Sequence, residues 1–169
     1  MLGNLNSTPR SLAGEARSVQ GRGMQEQLVP RPAFVHHLDT RYGECDQQGV
    51  VFNANYLAYA DDALDHWLRD QGQATGSQDW DLMVKSAQLV WHGSARWPDR
   101  LSIACGVTRW GRTSFDVIYR MSVDGQVVTD ARLVYVSIAT GSTRPVQLPA
   151  DAVARFGDVV EVPELEARR

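Results

Sequence analysis

This 169-residue chain has little of what several classes of protein require. Its two cysteines, Cys45 and Cys105, lack the CxxC spacing of a metal or redox motif and fit a reducing compartment. No apolar run approaches the roughly 20 residues of a membrane-spanning helix. The formal net charge is −3 and the basic residues do not cluster, which argues against a nucleic-acid partner. We therefore expect a soluble, cytoplasmic protein without a membrane span.

The N-terminal segment lacks the residues that build a core. Residues 1–32 are rich in Gly, Ser, Asn, Gln and Arg and have almost no aromatic or β-branched side chains. Such a segment buries too little apolar surface to offset the entropy lost on ordering, and it lacks the apolar stretch of a secretory signal. We predict a flexible tail over residues 1–32, one domain over 33–158 and a charged tail over 159–169.

Apolar spacing predicts one long helix. From Tyr56 onward, apolar residues recur every three or four positions, with acidic residues mostly between them. This is the pattern of an amphipathic helix of about four turns. Asn53 or Asn55 is the expected N-cap, and Gly72 the expected end. The preceding segment, residues 34–42, is β-like.

After Trp80 the pattern changes to a period of two. Four segments alternate in this way: DLMVKSAQLVWHG, RLSIACGVTRW, TSFDVIYRMSV and QVVTDARLVYVSIAT. Asp124-Gly125 between the last two is a strong hairpin signal. One helix cannot cover both faces of five strands, so we predict an α+β fold in which the sheet wraps around the helix. Apolar residues on both faces of the last strands favour self-association, as a homodimer or homotetramer.

The stretch RYGECDQQGVVFNANYL, residues 41–57, carries a specific motif. Its Arg-Tyr-x-Glu-x-Asp-x-x-Gly-Val-Val run, followed by Asn-Tyr-Leu, resembles the signature of the 4-hydroxybenzoyl-CoA thioesterase-like acyl-CoA thioesterases. The later segments WPDRL, GRTSFDVIYRM and RPVQLP are similar to other parts of that family. The resemblance covers roughly residues 34–155. It implies the hotdog fold, a five-stranded antiparallel sheet wrapped around one long central helix, and hydrolysis of acyl-CoA to a carboxylic acid and coenzyme A.

The resemblance makes Asp46 the catalytic candidate, as a general base on water or as a nucleophile. By itself, an aspartate before a helix is more often a cap or a surface acid. Gly49 lets the backbone turn close to a substrate. Amides near the helix start, at Val51, Phe52 and Asn53, are placed to stabilise an oxyanion. Tyr56 and Ser114 are weaker candidates for substrate binding, since each also fits a structural role.

Other chemistries find less support. The histidines His36, His37, His66 and His92 show no metal spacing, so we expect no metal, and no cofactor beyond the coenzyme A of the substrate. Cys45 has no histidine near it in the sequence, so we expect a small buried side chain rather than a nucleophile. No Gly-x-Ser-x-Gly elbow is present. The competing hypotheses are a non-catalytic module that binds acyl-CoA or an acyl carrier, and a hotdog dehydratase.

Overall fold

The computed structural model describes residues 33–72 and 80–161, except for the side chain of Trp80. The predicted N-terminal tail and most of the predicted C-terminal tail lie outside the described residues. The elements follow in chain order: β1 (Phe34–Asp39), a 3-10 turn (Tyr42–Glu44), α1 (Asn55–Asp70), β2 (Trp80–Trp91), β3 (Arg100–Trp110), β4 (Ser114–Val123), β5 (Gln126–Ala139) and α2 (Ala152–Phe156).

The five strands form one antiparallel sheet in the order β1-β3-β4-β5-β2. The 16-residue helix α1 packs on one face of this sheet. The architecture is the hotdog fold that the resemblance implied. The predicted first strand is shorter than expected, because the chain turns into the 3-10 segment after Asp39.

The apolar stripe of α1 forms the centre of the core. It meets the inward residues of β3, β4 and β5, among them Ile103, Val117 and Leu133, which are fully buried. Burying a large aliphatic or aromatic side chain contributes about 1.5–3 kcal/mol, so this stripe fixes α1 against the sheet. The buried residues of the stripe are Tyr56, Tyr59, Ala60, Ala63, Leu64, Trp67 and Leu68.

The hairpin between β4 and β5 is confirmed. Asp124 and Gly125 have φ angles of 48° and 77°, as a two-residue turn with both central residues left-handed requires. The inward residues of β5 differ in one place from strict alternation. The pairing slips so that Val128 packs into the core while Val127 is only half-buried. A β-bulge adds one residue and exchanges the two faces, which alternation alone does not reveal.

The C-terminal end of α1 was predicted correctly and its N-terminal cap was not. Gly72 follows the helix with a φ of 77°, as expected. The prediction that Asn53 or Asn55 caps the helix is wrong, because Ala54 occupies the N-cap position and makes no side-chain hydrogen bond there. The amide nitrogen of the Asn55 side chain donates instead to the carbonyl oxygen of Glu44, at 2.9 Å.

The outer face of the sheet carries a small second cluster. Ile118 and Val90 are buried there against Ala104 and Val160. The amide of Val160 also donates to the carbonyl of Val107 at 2.8 Å, so ordered contacts continue past residue 158. None of the described helices combines the length and the apolar character needed to cross a lipid bilayer.

Candidate functional site

Asp46 lies, half-buried, in a tight turn between the 3-10 segment and α1. Its amide donates to the carbonyl of Val50, and its carbonyl accepts the amide of Gly49, both at 2.9 Å. Gly49 has a φ of 72°, a conformation that strains residues with a Cβ, and no atom lies within 4 Å of the position its Cβ would take. The backbone angle, rather than crowding, therefore favours glycine here, and the side of the turn is open.

The carboxylate of Asp46 is held at one oxygen. Oδ1 accepts the amide of Gln48 at 2.8 Å, as in an Asx turn. Within residues 33–72 and 80–161, Oδ2 has no hydrogen-bond partner, and no basic side chain pairs with the carboxylate. One oxygen thus orients the group, and the other is left without a protein partner among the described residues.

The three candidate oxyanion amides are not equivalent. The amide of Val51 donates to the carbonyl of Ala95 at 2.8 Å, and that of Phe52 donates to the carbonyl of Glu44 at 2.9 Å. These two amides are engaged within the protein and are not the free donors expected from sequence. The amide of Asn53, just before α1, has no acceptor in the described part of the chain. It is the candidate donor that the structure leaves available.

Glu44 fastens the turn to α1. Its Oε2 accepts a hydrogen bond from the Tyr59 hydroxyl at 2.7 Å and one from the Arg41 amide at 2.8 Å. Burial, followed by the hydrogen bond to Glu44, raises the pKa of Tyr59, so its hydroxyl remains a donor. Sequence reasoning missed this contact. The available signal was that Tyr59 stands three residues after Tyr56, on the same helix face.

Tyr56 serves the scaffold. Only 1% of it is exposed, and its hydroxyl accepts the amide of Ala95 at 2.9 Å. Burial raises the pKa of Tyr56 and keeps it protonated. Because the carbonyl of Ala95 binds the amide of Val51, this residue ties α1 to the turn that carries Asp46.

Ser114 lies at the start of β4, where its Oγ is 3.5 Å from Nη2 of Arg109. That arginine also pairs with Asp116, at 2.7 Å. No hydrogen bond joins Ser114 to the Asp46 turn among the described residues. Its proposed contact with substrate therefore stays a prediction, and its observed role is local.

A cavity of about 270 Å³ lies between α1, β2 and β5. Its walls are largely apolar, with an acidic edge, and the hydroxyl of Tyr135 continues into the sheet through a 2.9 Å hydrogen bond with that of Tyr119. Such a space suits an apolar group that carries a polar end. The lining residues are Asp61, Leu64, Asp65, Leu68, Leu82, Val84 and Tyr135.

The cysteines do not make a nucleophilic site. Cys105 is fully buried in the core, and burial raises the pKa of its thiol, which disfavours the reactive thiolate. Cys45 is half-buried and forms a β-bridge with Val51 that closes the turn around Asp46. Its position supports a structural role.

Comparison with known proteins agrees with this architecture. Acyl-CoA thioester hydrolase YbgC from Escherichia coli is 26% identical over 137 residues, which cover 79% of this chain and 98% of YbgC. A solved protein from Pseudomonas aeruginosa superposes with a TM-score of 0.68 at 24% identity, over 73% of this chain and 88% of its own. A mutant 4-hydroxybenzoyl CoA thioesterase, complexed with 4-hydroxybenzoyl CoA, gives 0.68 at 20% identity, over 73% and 98%.

The two solved structures share the fold. The model of the thioesterase-like superfamily matches residues 40–156, more than half of the chain, and this range contains both the Asp46 turn and the sheet. The chain therefore belongs to the thioesterase-like superfamily.

Proposed function

We propose that this protein is an acyl-CoA thioester hydrolase in which Asp46 acts on the thioester carbonyl or on the attacking water. Two groups without a protein partner among the described residues carry the proposal. One is the second carboxylate oxygen of Asp46, and the other is the backbone amide of Asn53, seven positions later. YbgC, the relative from Escherichia coli, bears the name of this activity.

The reaction balances with these groups. As a general base, Asp46 takes a proton from water while the water oxygen bonds to the carbonyl carbon. The oxyanion that forms accepts a hydrogen bond from the amide of Asn53. Collapse of the intermediate breaks the carbon–sulfur bond, and the coenzyme A thiolate leaves and takes up the proton. As a nucleophile, Asp46 instead bonds to the carbonyl carbon, and the carbon–sulfur bond breaks to expel the coenzyme A thiolate and leave a mixed anhydride. Water then hydrolyses the anhydride to the free acid and the Asp46 carboxylate, and the proton released goes to the thiolate.

The amide of Asn53 would lower the barrier as an oxyanion donor. One preorganised donor of this kind lowers it by about 2.7–4 kcal/mol where water is excluded, and because Asn53 is exposed in the free chain, bound substrate has to provide that exclusion. Its neighbours at Val51 and Phe52 hold the backbone, so the donor does not have to be reorganised during the reaction. Gly49 provides the left-handed backbone angle of the turn, and no atom lies within 4 Å of the position its Cβ would take, so substrate could approach there.

We also propose that the chain self-associates through β2. This strand is 12 residues long and lies at one edge of the sheet. Met83 and Val84, on its opposite faces, are 44% and 41% exposed. Among the described residues no strand pairs with the outer side of β2, and such an edge with exposed apolar residues is suited to pairing with a second copy. Light scattering after size exclusion should show a homodimer or homotetramer, and a monomer at micromolar concentration would refute this part.

We also propose that Arg96 contacts the phosphates of coenzyme A. It adjoins Ala95, which is tied to both Val51 and Tyr56. Its own amide donates to Oδ2 of Asp99 at 2.8 Å, so its backbone is fixed. The residue is exposed, and among the described residues no carboxylate pairs with its guanidinium. Arg109, in contrast, is occupied by an aspartate.

The decisive experiment measures thiol release from acyl-CoA substrates with aromatic, short and long acyl groups. Asp46→Asn should abolish release while ligand binding stays nearly intact, since asparagine keeps an oxygen for the amide of Gln48 but cannot accept the proton. Asp70→Asn, at the exposed end of α1, is the matched control and should retain activity.

The same panel separates the competing functions. A non-catalytic binding module would bind acyl-CoA without releasing thiol in the wild type. Thiol release that persists in Asp46→Asn while binding is lost would remove the assigned role of Asp46. A dehydratase would produce an unsaturated acyl-CoA, but it needs a histidine beside the acid, and none contacts Asp46 among the described residues.

A further inference from the structure

Three side chains of metal-ligand type meet on another flank of α1. His36 lies on β1, and Asp62 and His66 stand one turn apart on α1. Nε2 of His36 is 3.1 Å from Oδ2 of Asp62, and Nδ1 of His66 is 3.6 Å from Oδ1. One ligand atom from each residue lies within 4.8 Å of the other two. We propose that these residues bind a divalent transition-metal ion of the zinc class.

The spacing is close to what coordination requires. Zinc binds imidazole nitrogen and carboxylate oxygen at about 2.0–2.2 Å, which places neighbouring ligand atoms about 3.4 Å apart in a tetrahedron. The 3.1 Å and 3.6 Å separations lie on either side of this value but run to different oxygens of Asp62, so the carboxylate or the His66 ring has to shift to direct all three ligands at one ion. His66 has 49% of its side chain exposed, so its ring can rotate to complete the set.

The ligand types select the class of metal. Two imidazoles and one carboxylate suit zinc, cobalt, nickel and copper, whereas calcium and magnesium prefer oxygen ligands. Nδ1 of His66 also lies 3.0 Å from the carbonyl oxygen of Asp62, and coordination through this nitrogen would replace that local contact.

The cluster is not part of the Asp46 turn, since none of its three residues hydrogen-bonds to Asp46 among the described residues. It also lies outside the cavity between α1, β2 and β5, which Asp61 lines while the neighbouring Asp62 contacts β1. A bound ion would join β1 to α1 directly and stabilise the folded state. A wide surface depression that includes Thr40 and Trp97 gives the cluster access to solvent and leaves space for water ligands.

The test uses the full chain without a histidine tag. Zinc and cobalt titrations followed by calorimetry, with the cobalt absorption spectrum as a second readout, should give one ion per chain. Loss of an outer-shell partner weakens metal binding by about 10–100-fold, so loss of a ligand in His66→Ala should weaken it by at least that much. Zinc should also raise the wild-type Tm, and the rise should disappear in His66→Ala.

His37→Ala is the matched control, because His37 is exposed on the same strand and is not part of the cluster. His66 is itself exposed, so its substitution should leave the fold intact, and circular dichroism verifies this. Equal affinity in wild type and His66→Ala would overturn the proposal. So would a cobalt spectrum with thiolate charge transfer, which would assign the ion to a cysteine.

Discussion

The hydroxyl of Tyr59 donates a 2.7 Å hydrogen bond to Oε2 of Glu44, and this contact joins the second turn of α1 to the turn that presents Asp46. The two residues are 15 positions apart in the chain. The same carboxylate oxygen accepts the amide of Arg41, so two donors converge on one side chain. The geometry of the Asp46 turn therefore depends on a helix that begins after it.

Removing this hydroxyl should loosen the turn. In Tyr59→Phe, the half-buried Glu44 carboxylate loses its side-chain donor, and a hydrogen bond to a charged group contributes about 1.5–3 kcal/mol. We expect a loss of this size in the free energy of unfolding by urea, together with a lower kcat, because Asp46 is held less firmly. The double variant with Glu44→Gln should lose less than the sum of the single variants. Full additivity would contradict the coupling.

Tyr56→Phe should destabilise the protein through the backbone of Ala95. The Ala95 amide is buried and its acceptor is the Tyr56 hydroxyl, so the variant leaves a buried donor unpaired at a cost of about 1–3 kcal/mol. Urea denaturation measures the change. Tyr42→Phe is the control, since Tyr42 is 79% exposed, and its stability should match wild type. A Tyr56→Phe protein as stable as that control would show that the hydrogen bond has no net effect.

Arg96→Ala should weaken the binding of coenzyme A substrates without changing the chemical step. A phosphate contact that stabilises the ground state and the transition state equally affects KM and leaves kcat unchanged. We therefore expect KM to rise about tenfold in this variant. The difference from wild type should shrink at high salt, because salt screens the exposed charge. Arg144→Ala, which removes another exposed arginine, should behave as wild type. A fall in kcat with constant KM would contradict this role.

Asp61→Asn should stabilise the protein at neutral pH. Asp61 is exposed overall, but desolvation of its carboxyl at the cavity wall, followed by the neighbouring Asp65, raises its pKa above the ordinary 3.8, while a hydrogen bond with Tyr135 acts in the opposite direction. Between 3.8 and the raised value, the folded state holds a proton that the unfolded state has released, so stability falls as pH rises through this window and stays lower above it.

The asparagine variant escapes this loss. Its gain over wild type, measured by urea unfolding, should be largest near about pH 7 and should fade as the pH drops below about 4. Asp158→Asn, at an exposed position near the chain end, should show no such gain. A gain from Asp61→Asn that is the same at both pH values would refute the assigned cause.

Much of the fold follows from local pattern in the sequence. The bounds of β3 match the alternating segment RLSIACGVTRW, and the Asp124-Gly125 turn has the angles that its residues predict. These features depend on contacts between near neighbours, for which the order of residues is sufficient. Positions that depend on distant partners were less predictable. Asn55 binds Glu44 instead of capping α1, and the bulge at Val128 became visible only through pairing with β4.

The sequence by itself determined one long helix among five strands, because hydrophobic period is a local property, and its motif resemblance implied the hotdog fold with Asp46 and Gly49 in a turn before α1. Tertiary structure decided which amides remain available. The carbonyls of Ala95 and Glu44 accept the amides of Val51 and Phe52, and the amide of Asn53 is left without an acceptor among the described residues.

The tertiary structure also brought His36 to Asp62, 26 positions away, whereas Asp62 and His66 already share one helix face through their four-residue spacing in the sequence. Contacts between segments distant in the chain arise only when the core packs, and for that reason local pattern does not specify them.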